Sequence, residues 1–270
     1  MTSPLECVVN ISSGDPAVVS ELSNVCVSSL LDVHSDMDHN RSVFTLYGSK
    51  VLDDLKSLCV ASFDLIDISK HTGVHPRFGV VDVVPFVPYE LEQQPSELDL
   101  TDAVATRNEF AQFAAKEFGT NTYLYGPERS LPDTRRAIRA GALPSFSADR
   151  YFETRGAMCV GARSPLVAYN LIIDASLNDA AKLAKNLRGD KVRTLVFEVG
   201  GRTQLSANLV APWSVGPIQF YEMVEEESKI IGAELVGLVP SYCITESSRP
   251  LELYGLSITS TIEARAKSHS

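Results

Sequence analysis

One order of elements appears twice along this chain of 270 residues, and that repetition limits the fold more than any single motif. Residues 5–11 form an apolar run that reads as a buried strand. Asp15 is placed to cap a helix whose first position is Pro16, where a missing N–H is no loss. Val18, Val19, Leu22, Val25 and Cys26 then recur at helical spacing. Residues 30–34 and 42–47 read as strands and 49–66 as a second helix. Residues 79–88 are nearly all apolar, the pattern of a strand buried on both faces. The order is β-α-β-β-α-β, and the second half repeats it. A strand at 166–173 is followed by a helix at 178–187 and by strands at 193–199 and 204–211, joined by a turn at Gly200-Gly201. A helix opening at Pro217 and a strand at 233–240 close the unit.

The expected class is therefore α+β: two ferredoxin-like (βαββαβ) subdomains, antiparallel or mixed sheets with helices on one face. Between the two copies lie a long helix at 100–118, a short strand from 122, and an Arg/Pro/Ser-rich stretch at 127–147 with one short helix near 135–140. That stretch reads as a linker, which places an N-terminal subdomain at 1–147 and a C-terminal one at 148–270. The tail from about residue 253 is rich in Ser, Thr, Ala and Lys and is expected to fray.

Composition supports two real cores, with 44% hydrophobic and 21% charged residues. It excludes disordered, collagenous and coiled-coil chains. With Lys+Arg 24 against Asp+Glu 34, the net charge is −10, which argues against nucleic acid or an anionic membrane as the main partner. An anionic small ligand is still compatible, since local arginines overrule net charge. The five cysteines are scattered with no Cys-x-x-Cys spacing, as expected of free thiols in a reducing cytoplasm. Residues 1–7 lack the pattern of a signal peptide, and no apolar run approaches the roughly 18 residues of a membrane span.

The densest chemistry lies between Asp64 and Pro88, where His71, His75, Lys70 and Arg77 share a loop bracketed by Gly73 and Gly79. Pro76 stiffens the backbone beside His75. A histidine on such a loop is suited to carrying a proton near neutral pH. A neighbouring arginine is suited to holding a carboxylate. A solvated helix-to-strand connection is the plainer alternative. Asp82 sits mid-strand and reads as a hydrogen-bond acceptor for loop backbone.

The string His71-Thr-Gly-Val-His75-Pro-Arg-Phe-Gly-Val-Val-Asp82-Val-Val-Pro-Phe-Val-Pro resembles the signature of the glutamate formiminotransferase family. Other blocks agree in order: Glu6-Cys-Val-Val-Asn10-Ile-Ser-Ser-Gly14, Leu31-Asp-Val-His34, Asp38-His-Asn40-Arg41, Tyr123-Leu-Tyr-Gly, Val160-Gly-Ala-Arg163 and Leu235-Val-Gly-Leu-Val-Pro240. The resemblance covers roughly residues 4 to 242. It implies passage of a formimino group from N-formiminoglutamate to tetrahydrofolate as co-substrate, with His75 as general base. No metal is implied. It also implies that substrate and folate are met by Asn10, His34, Asn40, Arg41, His71, Arg77, Gly79, Arg155, Gly156 and Arg163. A pocket between the His75 loop and a strand beginning at Arg163, a homodimer and a cytoplasmic location are further expectations.

Two other readings compete. One is a folate- or amino-acid-binding relative with an altered donor or lost catalysis, motivated by the charged segment 147–156. The other is a metal-dependent hydrolase, because Asp32, His34, Asp36, Asp38 and His39 form an Asp/His-rich loop and His71 and His75 are four apart.

Overall fold

Each strand pairing below joins segments whose side chains alternate between a core face and a second face, and that alternation places the site residues. The computed structural model describes residues 4–73, 77–91, 99–244 and 247–269. The chain divides into two compact units between Arg163 and Ser164.

The first unit begins with β1 (Leu5–Ile11), α1 (Pro16–Asn24), β2 (Leu30–Asp36), β3 (Arg41–Tyr47), α2 (Val51–Leu65) and β4 (Val81–Pro88). Asp15 caps α1 as its sequence implies, accepting from the amides of Ala17 and Val18. The strands lie in the order β2-β3-β1-β4, every neighbour antiparallel, which is the ferredoxin-like arrangement. Cys7, Val9 and Ile11 of β1 join Phe44 and Leu46 of β3 in a core shared with Leu55, Leu58 and Cys59 of α2.

The sheet does not stop at β4. After α3 (Thr101–Phe118), β5 (Asn121–Tyr125), α4 (Leu131–Arg139) and β6 (Ala157–Ala162), the order continues β4-β6-β5, with both new pairings parallel. Parallel neighbours need crossover connections, and α3 and α4 supply them. This moves the boundary expected at 147/148 to 163/164, because β6 is an inner strand of the first sheet. The stretch expected to be a linker is built structure. Ser130 caps α4, and the Thr122 amide and carbonyl pair with Phe146 and Ser145. Leu131 and Ile138 of α4 pack with Phe78 against Val83, Tyr125 and Cys159. In the register, Val83 faces Asn10 and Cys159, the side opposite Val9 and Ile11. Here the expectation of helices on one face fails, for α4 covers the other.

Arg107 shows why α3 holds so firmly. It is 2% exposed, donates to the Tyr125 carbonyl at 2.9 Å and grips Glu128 with two bonds of 2.7 and 2.8 Å. That grip pulls the Glu128 carboxyl down to about 2. A carboxyl depressed in the folded state stabilises the fold above its unfolded value of about 4.5 and loses that contribution as pH falls toward 2. Glu128→Gln is therefore expected to flatten the acid limb of stability in that window, measured as urea midpoints at several pH values. Glu128 is 61% exposed, so solvent screening keeps the effect modest. An acid limb identical to that of the parent contradicts the assignment.

The second unit repeats the arrangement with β7 (Val167–Ile173), α5 (Leu177–Leu187), β8 (Val192–Val199), β9 (Arg202–Leu209), α6 (Pro217–Glu225) and β10 (Ile230–Val236). The order is β10-β7-β9-β8, again antiparallel throughout. Gly200 and Gly201 have φ of 55° and 72°, the left-handed pair that a two-residue hairpin turn requires. The tail departs from expectation. It forms 3-10 turns at Leu251–Tyr254 and Ile258–Ser260 and a short α7 (Ile262–His269). Tyr254, Leu256 and Ile262 are buried, and Tyr169 Oη donates to the Tyr254 carbonyl at 2.6 Å. Three apolar anchors spaced through a polar segment are enough to dock it. Among the described residues no helix is long and apolar enough to cross a membrane.

Candidate active site

Asn40 organises one end of the first sheet. It is the one non-glycine residue with positive φ (45°) among those described, a conformation asparagine tolerates better than most. Its Oδ1 accepts from the Gly14 amide at 2.9 Å and its Nδ2 donates to the Thr72 carbonyl at 2.8 Å. Its own carbonyl accepts from Arg77 Nη1 at 2.9 Å and lies 2.8 Å from His71 Nε2. One residue thus ties the β1–α1 loop, the β2–β3 turn and the segment after α2 together. Arg77 adds a bond from Nη2 to the His39 carbonyl at 3.0 Å. Gly73 sits so close that a Cβ there would lie 2.6 Å from the His39 carbonyl oxygen.

His71 Nε2 also meets Arg77 Nη1. Burial pushes the His71 pKa below its ordinary value, the Asn40 carbonyl opposes this, and the positive charge of Arg77 adds to it. The shift favours the neutral imidazole, which serves as a fastening.

Arg41, at the head of β3, donates to Asn10 Oδ1 on β1, while Asn10 Nδ2 donates to the Val8 carbonyl at 3.1 Å. Burial lowers the Arg41 pKa to about 10, Asp82 and Asp36 hold it up, and Arg135 and Arg77 push it down. It remains a cation at neutral pH. Asp82 Oδ1 accepts from the Phe78 amide at 2.7 Å, the backbone role expected of it, and Oδ2 pairs with Arg135 of α4. Arg41, Arg77 and Arg135 thus bring three guanidiniums close enough to feel the one carboxylate of Asp82. His34 of β2 pairs in register with Val43, as Asn10 does from the other side, so His34 and Asn10 lie on the same sheet face.

His75 lies outside the described residues. On either side of it, Gly73 packs against His39 and Arg77 is fastened to the His39 and Asn40 carbonyls.

The remaining expected site residues fall elsewhere. Gly79 and Gly156 form an isolated antiparallel bridge, and a Cβ on either would lie 2.3 Å from a backbone oxygen of the facing segment. Close backbone approach accounts for both. Arg155 donates to the Phe118 carbonyl, and its guanidinium stacks on Phe152 at 4.4 Å and Phe63 at 5.0 Å. That engagement turns it toward α2 and α3. Arg163 follows β6 in the first unit, its amide bonded to the Phe86 carbonyl at 3.1 Å. It does not open the second unit's first strand, which starts at Val167. Sequence reasoning missed Arg135. The available signal was its spacing with Arg139, one helical turn apart behind a Ser130 cap. Among the described residues, no group of three or more His, Cys, Asp or Glu side chains is arranged to hold a metal ion.

Residues 4–163 match the formiminotransferase domain, N-terminal subdomain, a span that ends where the first compact unit ends. The chain belongs to the formiminotransferase family. A glutamate formimidoyltransferase of Streptococcus pyogenes serotype M1 is 30% identical over 286 residues, covering 91% of this chain and 92% of that protein. One from Thermoplasma acidophilum is 29% identical over 284 residues, covering 92% and 91%. The formimidoyltransferase-cyclodeaminase of Rattus norvegicus is 29% identical over 288 residues, and here the match takes in 92% of this chain and 52% of that longer protein. This formiminotransferase-family chain thus spans about half the length of the Rattus norvegicus relative and about nine-tenths of the other two.

Proposed function

We propose that this protein transfers a formimino group from N-formiminoglutamate to tetrahydrofolate, with His75 as general base. The observation that carries the reading is the pair of fixed attachments on either side of His75, through Gly73 and Arg77, beside the cations Arg41, Arg77 and Arg135. Relatives that this chain matches over nearly their full length bear the name glutamate formimidoyltransferase.

The chemistry needs few parts. A ring nitrogen of the folate attacks the formimino carbon while an imidazole takes the nitrogen's proton. As the bond from that carbon to the glutamate nitrogen breaks, the proton returns to the departing glutamate. Both substrates are anionic, so a chain of net charge −10 needs a local cationic end to receive them. Arg41 and Arg77 supply it, with Asn10, Asn40, His34 and His71 as the neighbouring polar contacts. Arg163 serves the folate in this reading. A homodimer in the cytoplasm, acting on small molecules and not on nucleic acid, completes the reading.

The test is a direct assay. The purified chain is mixed with N-formiminoglutamate and tetrahydrofolate, and formimino-folate absorbance and free glutamate are followed together. Stoichiometric appearance of both is expected. Binding of both compounds without turnover overturns the reading in favour of a binding relative, for which the engagement of Arg155 with Phe118 already offers a reason.

A further inference from the structure

The turn just past His75 is held from the far side of the sheet. Phe78 donates its amide to Asp82 Oδ1, and Asp82 Oδ2 pairs with Arg135 on α4. The pair is shielded: the Arg135 and Asp82 side chains are 13% and 7% exposed. In such surroundings a carboxylate is held firmly only where its charge is met. The Phe78 ring is flanked by the guanidiniums of Arg135 at 6.0 Å and Arg139 at 5.6 Å, one helical turn apart. The helix that presents them is itself anchored. Ser130 caps it, Thr134 Oγ1 donates to the Leu124 carbonyl at 3.3 Å, and Leu131 and Ile138 pack on Val83, Tyr125 and Cys159.

We propose that Arg135 is a positioning residue for the transfer reaction, acting through Asp82 to set the turn at Phe78. This rests on the transfer reading above. Arg77 fastens the segment to the β2–β3 turn, and Arg135 fastens it to α4, so its geometry is fixed from two elements at once. Removing the guanidinium leaves Asp82 to relax toward Arg41 and Arg77, whose charges it already feels, and away from the Phe78 amide.

The test compares the unaltered protein with Arg135→Met, Arg135→Lys, Asp82→Asn and, as a control, Arg136→Met. Arg136 is exposed and pairs within α4 with Asp133. Two readouts are taken: hydrogen exchange at the Phe78 amide, and kcat and KM for transfer. In Arg135→Met and Asp82→Asn, Phe78 exchange is expected to quicken by about tenfold or more, since the acceptor that protects it is loosened. The same variants are expected to lose about tenfold in kcat with KM changed by less than about threefold. Arg135→Lys keeps a cation and is expected to restore most of both, and Arg136→Met to change neither. Unchanged Phe78 exchange and kcat in Arg135→Met overturn the proposal, as does a kcat loss of equal size in Arg135→Lys. Should Arg135→Met fail to fold, Asp82→Asn decides, with unchanged Phe78 exchange there counting against the link. An unaltered protein that transfers nothing defeats the transfer reading instead, and the exchange comparison still judges Arg135 by itself.

Discussion

Replacing His75 with alanine is expected to lower kcat for formimino transfer by about 10²–10⁴-fold, the usual worth of a positioned acid–base group. KM for N-formiminoglutamate is expected to change little, because the donor's carboxylates are assigned to arginines. His71→Ala is the informative partner. His71 sits beside Asn40 and Arg77, and burial lowers its pKa, so its loss loosens a fastening and leaves proton transfer in place. Its expected effect stays within about tenfold. Steady-state kinetics on both variants separate the roles. A His75→Ala variant within a few-fold of the parent, or a His71→Ala loss that matches it, refutes the assignment of the base.

Gly79→Ala is expected to destabilise the protein by about 3 kcal/mol or more, at the upper end of what overpacking does. The added Cβ would stand 2.3 Å from the Ala157 carbonyl oxygen, 2.8 Å from that of Arg155 and 2.9 Å from the Ala157 nitrogen. None of these is the end of a flexible side chain. The two segments are clamped on either side of the clash by Val80 N–H to Arg155 O at 2.9 Å and Ala157 N–H to Phe78 O at 2.8 Å, and Ser12 Oγ donates to the Gly79 carbonyl at 2.7 Å. Relief requires opening the junction that feeds β4, so transfer activity is expected to fall with stability. Gly141 is the control. Its φ is +85°, yet nothing lies within 4 Å of a Cβ there, so Gly141→Ala carries only the backbone penalty of roughly 1–2 kcal/mol. Urea midpoints read the difference, and a Gly79→Ala variant no less stable than Gly141→Ala overturns the packing argument.

Within each half, the sequence-based elements and the observed ones agree closely where the signal was local. The Asp15 cap with Pro16, the Gly200-Gly201 turn and the apolar run of β4 each need only a few neighbouring residues to declare themselves. Of the residues expected at the site, some lie together and others do not. Asn40, Arg41, His71 and Arg77 meet at one sheet end, while Arg155 is drawn to Phe118 and the Gly79–Gly156 pair turns out to be a backbone contact. The tail was misread because its composition is polar, and the anchors Tyr254, Leu256 and Ile262 are too sparse to show as a periodic pattern.

By itself the sequence determined the order of strands and helices within each βαββαβ unit, the Asp15 cap, the Gly200-Gly201 turn and the doubling of the unit. These follow from periodicity and backbone chemistry acting over one or two turns of chain. Tertiary structure alone decided that β6 slots between β4 and β5, that α4 takes the opposite sheet face, and that Arg135 reaches Asp82 across 53 residues. Parallel pairing and buried ion pairs join segments with no local imprint of one another. Which partner each finds is settled by packing the whole sheet, once the cost of closing the intervening chain has been met.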